Sequence, residues 1–284
     1  MRSLTKFGEF ALAAAILLCS CTGASAQSAE RESAQKRNIA DLKEVAYAGD
    51  VNAQVELGVI FLTGNGVAKD DVEAVKWLRK AADQDSAIGE RYLAEMYYKG
   101  RGVSADNEEA AKWLRLAAEQ NDAQSEYNLA VLYTKGLGVP RNLKEAANLM
   151  SKAASQNLPA GQLGLGVAYE NGDGVPPDPV EAARWYQKAV DQNYVPAFST
   201  MALLLATSTN AKVRDPKRAV ALATKAVAAG PDPDYLDTLA NAYFADGETD
   251  MAIETEQRAL ARDPENETYK QSLEKFMAAA HAKL

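Results

Sequence analysis

Cysteine is almost missing from this 284-residue chain: both cysteines, Cys19 and Cys21, stand within the first 26 residues. A chain cut after Ala26 has no thiol, which excludes a disulfide framework, a cysteine metal site and a cysteine nucleophile. Histidine is scarcer still. The single one, His281, lies near the C-terminal end, where fraying denies it the fixed neighbours that catalysis or metal binding requires. Aromatic residues make up only 7% of the chain and Ala dominates its apolar set, a composition that suits closely spaced helices better than sheets. Basic charge is in deficit, 31 Lys and Arg against 39 Asp and Glu, with no basic block along the sequence. Such a chain gains nothing from phosphate contacts, so nucleic acid is excluded as the expected partner. The apolar run Phe10 to Leu18 falls short of the ~20 residues that a spanning helix needs.

That run has another meaning. Arg2 and Lys6 precede it and Ala24-Ser25-Ala26 follow it, the order of a secretory signal peptide over residues 1–26. Cleavage after Ala26 leaves an exported protein that begins at Gln27, with the periplasm as its expected location. Leu18-Cys19-Ser20-Cys21 also resembles a bacterial lipobox, in which Cys21 would be lipidated and the protein held on a membrane surface as a lipoprotein. Both outcomes stand open on the sequence. Residues 27–37 are polar, charged and aperiodic, a flexible segment between the processing site and the fold.

What the chain has in abundance is self-similarity. The turn Gly64-Asn65-Gly66-Val67 returns at Gly100 to Val103, Gly136 to Val139 and Gly172 to Val175, each 36 residues after the last. Ahead of each turn a helical stripe repeats: Ala53, Leu57, Gly58 and Phe61, then Gly89, Leu93, Ala94 and Tyr97, then Ser125, Leu129, Ala130 and Tyr133, then Gly161, Leu165, Gly166 and Tyr169. After each turn comes a capping box, Asp70 with Glu73, Asp106 with Glu109, Asn142 with Glu145 and Asp178 with Glu181, in which each partner is expected to bond the other's backbone. Second helices follow, with Ala74 and Trp77, Ala110 and Trp113, Ala146 and Leu149, Ala182 and Trp185 facing inward. They stop at Asp85, Asn121, Asn157 and Asn193, which tolerate the left-handed backbone, in register with Gly49 and, one residue late, Gly230.

The string from Leu57 to Gln84, repeated from Leu93 to Gln120, resembles the Sel1-like repeat, a ~36-residue relative of the tetratricopeptide repeat. The resemblance implies an all-α chain, an α/α solenoid wound as a right-handed superhelix of helical hairpins. On this reading residues 38–49 form an N-capping helix with Ile39, Leu42, Val45 and Ala46 on one face, and 50–193 form four repeats. Residues 194–230 are a degenerate fifth, with Ser208 and Asn210 where glycines should be. Residues 231–264 resemble a tetratricopeptide repeat in which Glu256 replaces the usual apolar residue, and 265–284 form a capping helix.

No constellation for chemistry emerges. Paired carboxylates such as Glu108 and Glu109 sit on solvated helix faces, with no cleft to shift their ionisation. Asn171-Gly172-Asp173-Gly174 is a repeat turn ahead of a helix cap rather than a calcium loop. The three Trp, at repeat-spaced positions, read as core.

In tetratricopeptide arrays the first helices line a groove that holds peptides or partner helices. The resemblance therefore implies a non-enzymatic interaction scaffold of the bacterial envelope, without a cofactor, whose partner is a protein or peptide. Its groove would present Arg91, Glu95 and Tyr98, then Gln124, Tyr127 and Thr134, then Glu170, and at the far end Asn241 and Phe244. Tyr98, Tyr127 and Arg91 are the residue types that anchor interfaces. Two other roles remain open: an enzyme or regulator of cell-wall or antibiotic metabolism, and an outer-membrane lipoprotein serving envelope assembly or exopolysaccharide secretion. The first is disfavoured because the relatives with such activity carry a disulfide in each repeat.

Overall fold

The computed structural model describes residues 38–230 and 232–282; the expected signal peptide over residues 1–26, Cys21 within it, and the expected flexible segment 27–37 lie outside the described residues. Among the described residues there are fourteen helices and no strand. Helix α1 covers 38–47, followed by α2 (Val51–Thr63), α3 (Asp71–Ala82), α4 (Ala87–Lys99), α5 (Asn107–Glu119), α6 (Ala123–Lys135) and α7 (Leu143–Ser155). Then come α8 (Pro159–Asn171), α9 (Pro179–Asp191), α10 (Val195–Thr207), α11 (Pro216–Ala229), α12 (Pro233–Asp246), α13 (Thr249–Leu260) and α14 (Glu267–His281). No helix among the described residues is long and apolar enough to cross a membrane.

The chain divides into two compact units, the first ending at Trp77 and the second beginning at Leu78. In the first, Ile39 and Ala46 of α1 are buried with Ala53, Leu57 and Phe61 of α2 and with Ala74 and Trp77 of α3. Gln54, also buried, donates to the Ala46 carbonyl at 3.0 Å, and the Tyr47 ring meets Trp77 edge-on at 4.8 Å. Val45 departs from the expected face. It is 49% exposed, because α1 turns only Ile39 and Ala46 squarely inward and leaves Leu42 half-buried.

The second unit is an α/α solenoid of helical hairpins. Each helix packs on its neighbour in sequence, and the first helices also meet along one side, α6 with α8, α10 with α12, and α12 with α14. Most of the expected stripe is buried in each hairpin, Gly89, Leu93 and Ala94 on α4, Ser125, Leu129 and Ala130 on α6, and Gly161, Leu165 and Gly166 on α8, while its aromatic members Tyr97, Tyr133 and Tyr169 are half-buried. Small residues there let neighbouring backbones close in: a Cβ on Gly161 would lie 2.8 Å from the Cβ of Ala153.

The punctuation has the expected geometry at all four stops. Asp85, Asn121, Asn157 and Asn193 have φ of 58, 62, 64 and 56°, the left-handed backbone that ends each second helix. Gly230 is the exception: its φ of −177° is extended, so the fifth second helix ends without a left-handed residue. The turn glycines Gly136 and Gly138 have φ of 69 and 67°, and the second does more than turn the chain. A Cβ there would lie 2.0 Å from the Asn107 carbonyl oxygen, so the turn of one hairpin rests directly on the start of the previous second helix.

The capping box forms by half. Asp106 accepts from the backbone of Glu108 and Glu109 at 2.9 and 3.0 Å, as expected. The reciprocal bond is displaced because the N–H of Asp106 is taken by the Tyr97 carbonyl at 2.9 Å, and likewise Asn142 by Tyr133 and Asp178 by Tyr169. The freed Glu109 carboxylate accepts instead from the Trp113 indole at 3.1 Å and from Lys112 at 3.2 Å. The cap N–H thus fastens the second helix to the end of the first, while the Glu109 bonds stay within the second helix.

One repeated position is polar and buried. Glu90, Glu126 and Gln162 are each 1% exposed, and accept from Gln120, Gln156 and Gln192 at 2.9, 2.8 and 2.8 Å. Each glutamine lies at the end of the second helix of the same hairpin, so the bond closes that hairpin at its open end. Burial, reinforced by Asp85, raises the Glu90 carboxyl to about 7 despite the Gln120 hydrogen bond, and burial raises Glu126 in the same direction.

Candidate functional site

The first helices supply a surface because only one stripe of each is consumed by packing. Between α4 and α6, which stand further apart than α10 and α12, that surface opens into a cavity of about 360 Å³. Ala94, Leu114 and Leu132 form its floor, Tyr98 and Tyr127 its aromatic walls with Val131, and Glu95, Lys99 and Asn128 a polar rim. Tyr98 is 43% exposed, whereas Tyr127 is half-buried and burial pushes its phenol upward. Gly164 on α8 lies beside it, where a Cβ would meet the Met150 sulfur at 3.2 Å and the Tyr127 ring at 3.4 Å. The rim is charge-balanced, Lys99 pairing with Glu95 at 2.5 Å.

The other expected groove residues fall into three groups. Gln124 and Thr134 stay on the α6 surface but bond within their own helix, Gln124 to Asn128 at 2.9 Å and Thr134 to the Ala130 carbonyl at 2.9 Å. Arg91 and Glu170 are partly withdrawn. Arg91 pairs with Asp122, the N-cap of α6, at 3.3 Å, and its guanidinium lies over the Tyr92 ring. Glu170 accepts at 2.6 Å from the hydroxyl of Tyr186, whose fully buried ring occupies the space left by Gly166. Trp185, expected in the core, is only half-buried, with Lys188 over its ring.

Asn241 and Phe244 need correction: they do not continue an open groove. The Phe244 ring packs on Phe276 of α14 at 4.7 Å, with Lys275 above it. Asn241 donates to Asp237 at 3.1 Å, which also accepts from Ser272 of α14 at 3.2 Å. The capping helix takes the place a partner would have there, and the contact of Ser199 with Thr238 at 3.0 Å closes the surface between α10 and α12. What remains open is centred on α4, α6 and α8. Leu114, on the floor, is absent from the groove expected on the sequence because that groove was drawn from first helices alone and Leu114 belongs to a second helix.

A profile of the Sel1 repeat matches residues 51–86, 87–122, 123–158, 159–194 and 201–231, more than half of the chain. The chain belongs to the Sel1 repeat family. Among solved structures, this Sel1 protein is similar to a Sel1 repeat protein from Oxalobacter formigenes, with a TM-score of 0.63 and 28% identity over 72% of this chain and 85% of that one. It is also similar to c5321, a protective antigen present in uropathogenic Escherichia coli strains, with a TM-score of 0.53 and 29% identity over 79% of this chain. The match covers 56% of c5321, so this chain spans about half the length of that protein. PilW, a type IV pilus biogenesis factor, is similar in fold alone, with a TM-score of 0.54 and 17% identity over 80% of this chain and 98% of PilW. No curated protein matches the chain.

Proposed function

We propose that this Sel1 protein is a non-enzymatic scaffold of the bacterial cell envelope that holds a partner peptide or protein on the face of α4, α6 and α8. The observation that carries this reading is the cavity between α4 and α6, where two tyrosines stand over an aliphatic floor with a neutral rim. An apolar side chain of the partner fits there, and Tyr98 and Tyr127 contribute wide contact area at low entropic cost. Sel1 and tetratricopeptide folds are protein-interaction scaffolds, which supports the class of partner. Export rests on the Arg2-to-Ala26 sequence pattern alone.

The test is a comparison of the mature protein with its Tyr98→Ala, Tyr127→Ala variant, each used to capture partners from the native envelope. The expected result is a partner held by the first and lost by the second, with unchanged helicity. Equal capture by both overturns the groove. Arg91 is left intact because it pairs with the α6 cap. The mass of the mature N-terminus tests location: a chain starting at Gln27 supports the periplasm, a lipidated Cys21 a membrane anchor, and an unprocessed Met1 refutes export.

A further inference from the structure

A crevice bounded by a second helix, the following first helix and the turn after it recurs one 36-residue step apart, and its charge changes between the two steps. Between α7, α8 and the Gly174-Val175 turn it has a volume of about 570 Å³, with Lys144 and Glu145 as its charged residues. Between α9 and α11 the crevice is about 370 Å³ and is lined by Arg184, Lys212, Arg214 and Arg218 against a single carboxylate, Asp215. That carboxylate is committed, since it accepts from the backbone of Arg218 as the cap of α11.

The cations have little compensation. Arg184 pairs with Glu181. Arg214 donates to the Ala206 carbonyl at 2.7 Å and Arg218 to the side-chain oxygen of Gln187, both neutral acceptors. Lys212 is exposed on the turn, and its side chain makes no ion pair among the described residues. From Val180 to Lys225 the chain carries seven basic and three acidic side chains, against a surplus of acid over the whole sequence. The floor is apolar, with Met201, Leu205 and the buried Val213. The departure from the repeat is what builds the site: the turn that lost its glycines gained Lys212, Val213 and Arg214 instead.

We infer that this crevice is a second binding site, separate from the tyrosine cavity, and that it takes an acidic protein segment in which carboxylates alternate with aliphatic residues. Carboxylates meet the cationic walls and an aliphatic side chain meets the floor. A polyphosphate backbone would leave the floor unfilled and would meet the acid surplus of the remaining chain.

The experiment measures fluorescence anisotropy of a dye-labelled peptide of alternating glutamate and leucine with the mature protein, at low and at physiological salt. A glutamine–leucine peptide and a single-stranded oligonucleotide serve as comparisons. Expected are binding of the acidic peptide alone, weakened by salt, and at least a tenfold loss in the Arg184→Gln, Lys212→Gln, Arg218→Gln variant. Lys212→Glu alone touches no internal bond of its side chain and is expected to weaken binding several-fold, which guards against misfolding of the triple variant. Tyr98→Ala, Tyr127→Ala is expected to bind the acidic peptide as the parent does. Equal affinity for the glutamine peptide, tighter binding of the oligonucleotide, absence of binding at low salt, or insensitivity to Lys212→Glu overturns the assignment.

Discussion

Gly136 and Gly138 occupy one turn and share a left-handed backbone, yet alanine at the two positions should have very different effects. At Gly136, φ is 69° and the nearest atom to a new Cβ would be the Cβ of Arg141 at 3.3 Å. The cost is the left-handed conformation itself, about 1–2 kcal/mol. At Gly138, φ is 67°, but the new Cβ would lie 2.0 Å from the Asn107 oxygen, 2.2 Å from its carbonyl carbon and 2.6 Å from the Glu108 nitrogen. Those atoms are backbone at the start of α5, so relief requires moving α5 and its hairpin away from the α6–α7 turn by more than an ångström. Overpacking of this kind adds about 1–3 kcal/mol, giving a total of about 2–5 kcal/mol. At ~2–4 °C per kcal/mol, Gly136→Ala should lower the melting temperature by about 2–8 °C and Gly138→Ala by up to about 20 °C. Repeat arrays need not unfold in one step, so hydrogen exchange along α5 to α7 is the companion measurement. Gly138→Ala should open α5 and α6 together, while Gly136→Ala should leave the α5 amides protected. Indistinguishable melting and exchange for the two variants would refute the idea that the second glycine joins hairpins.

Gly166→Ala should destabilise the fourth hairpin by about 1–3 kcal/mol, because a Cβ would lie 2.4 Å from the Tyr186 ring; adding Tyr186→Leu, which restores the Ala94 and Leu114 combination, should recover most of it, and additive losses in urea melts would count against direct packing. Glu256, fully buried on α13, is raised to about 8 by burial and then by Asp237, whose carboxyl is itself raised by burial. A folded-state value above the ordinary 4.5 means that the folded state holds the proton more tightly, so stability is greatest in acid and declines as pH climbs toward 8. Exchange of the α13 and α14 amides should show this decline, of the order of a few kcal/mol, and Glu256→Gln should flatten it; a pH-independent wild type would refute the reading.

The period was legible because one residue type at one spacing fixes each event of a hairpin. Glycine was needed for the turn, Asp or Asn for the cap, and Asn or Asp for the left-handed stop, and the backbone angles follow those choices. Harder to read were contacts whose partners lie about 30 residues apart or in neighbouring hairpins. The spacing of Gln54, Glu90, Glu126 and Gln162 is plain in the sequence, but a polar residue at a repeated position carries no sign of burial, and only the bonds from Gln120, Gln156 and Gln192 satisfy three of them inside. The capping boxes misled for a related reason: the competing acceptor for the cap N–H belongs to the preceding helix, and local sequence is silent about it. Phe244 and Asn241 were placed by register with Tyr98 and Glu95, which cannot reveal that α14 returns to cover them.

An array of this kind also provides its own control. Positions that hold the same residue type through the four regular repeats, such as the stripe, the stops and the buried Glu or Gln, answer to the geometry of stacking and would be needed whatever the protein bound. Differences between equivalent positions have no such explanation. Tyr98 gives way to Thr134 and Glu170 along one face, and along the other the turn glycines give way to Ser208 and Asn210, with Lys212 and Arg214 beside them. Both changes coincide with a change in the local surface: an aromatic cavity where Tyr98 meets Tyr127, and a cationic crevice where the glycine turn has been replaced. An exposed cation without an ion pair among the described residues, such as Lys212, adds nothing to stability, so on the two proposals above these surfaces answer to contacts outside the chain. If both proposed sites are used, the protein would bridge partners, because each site could be occupied without displacing the other.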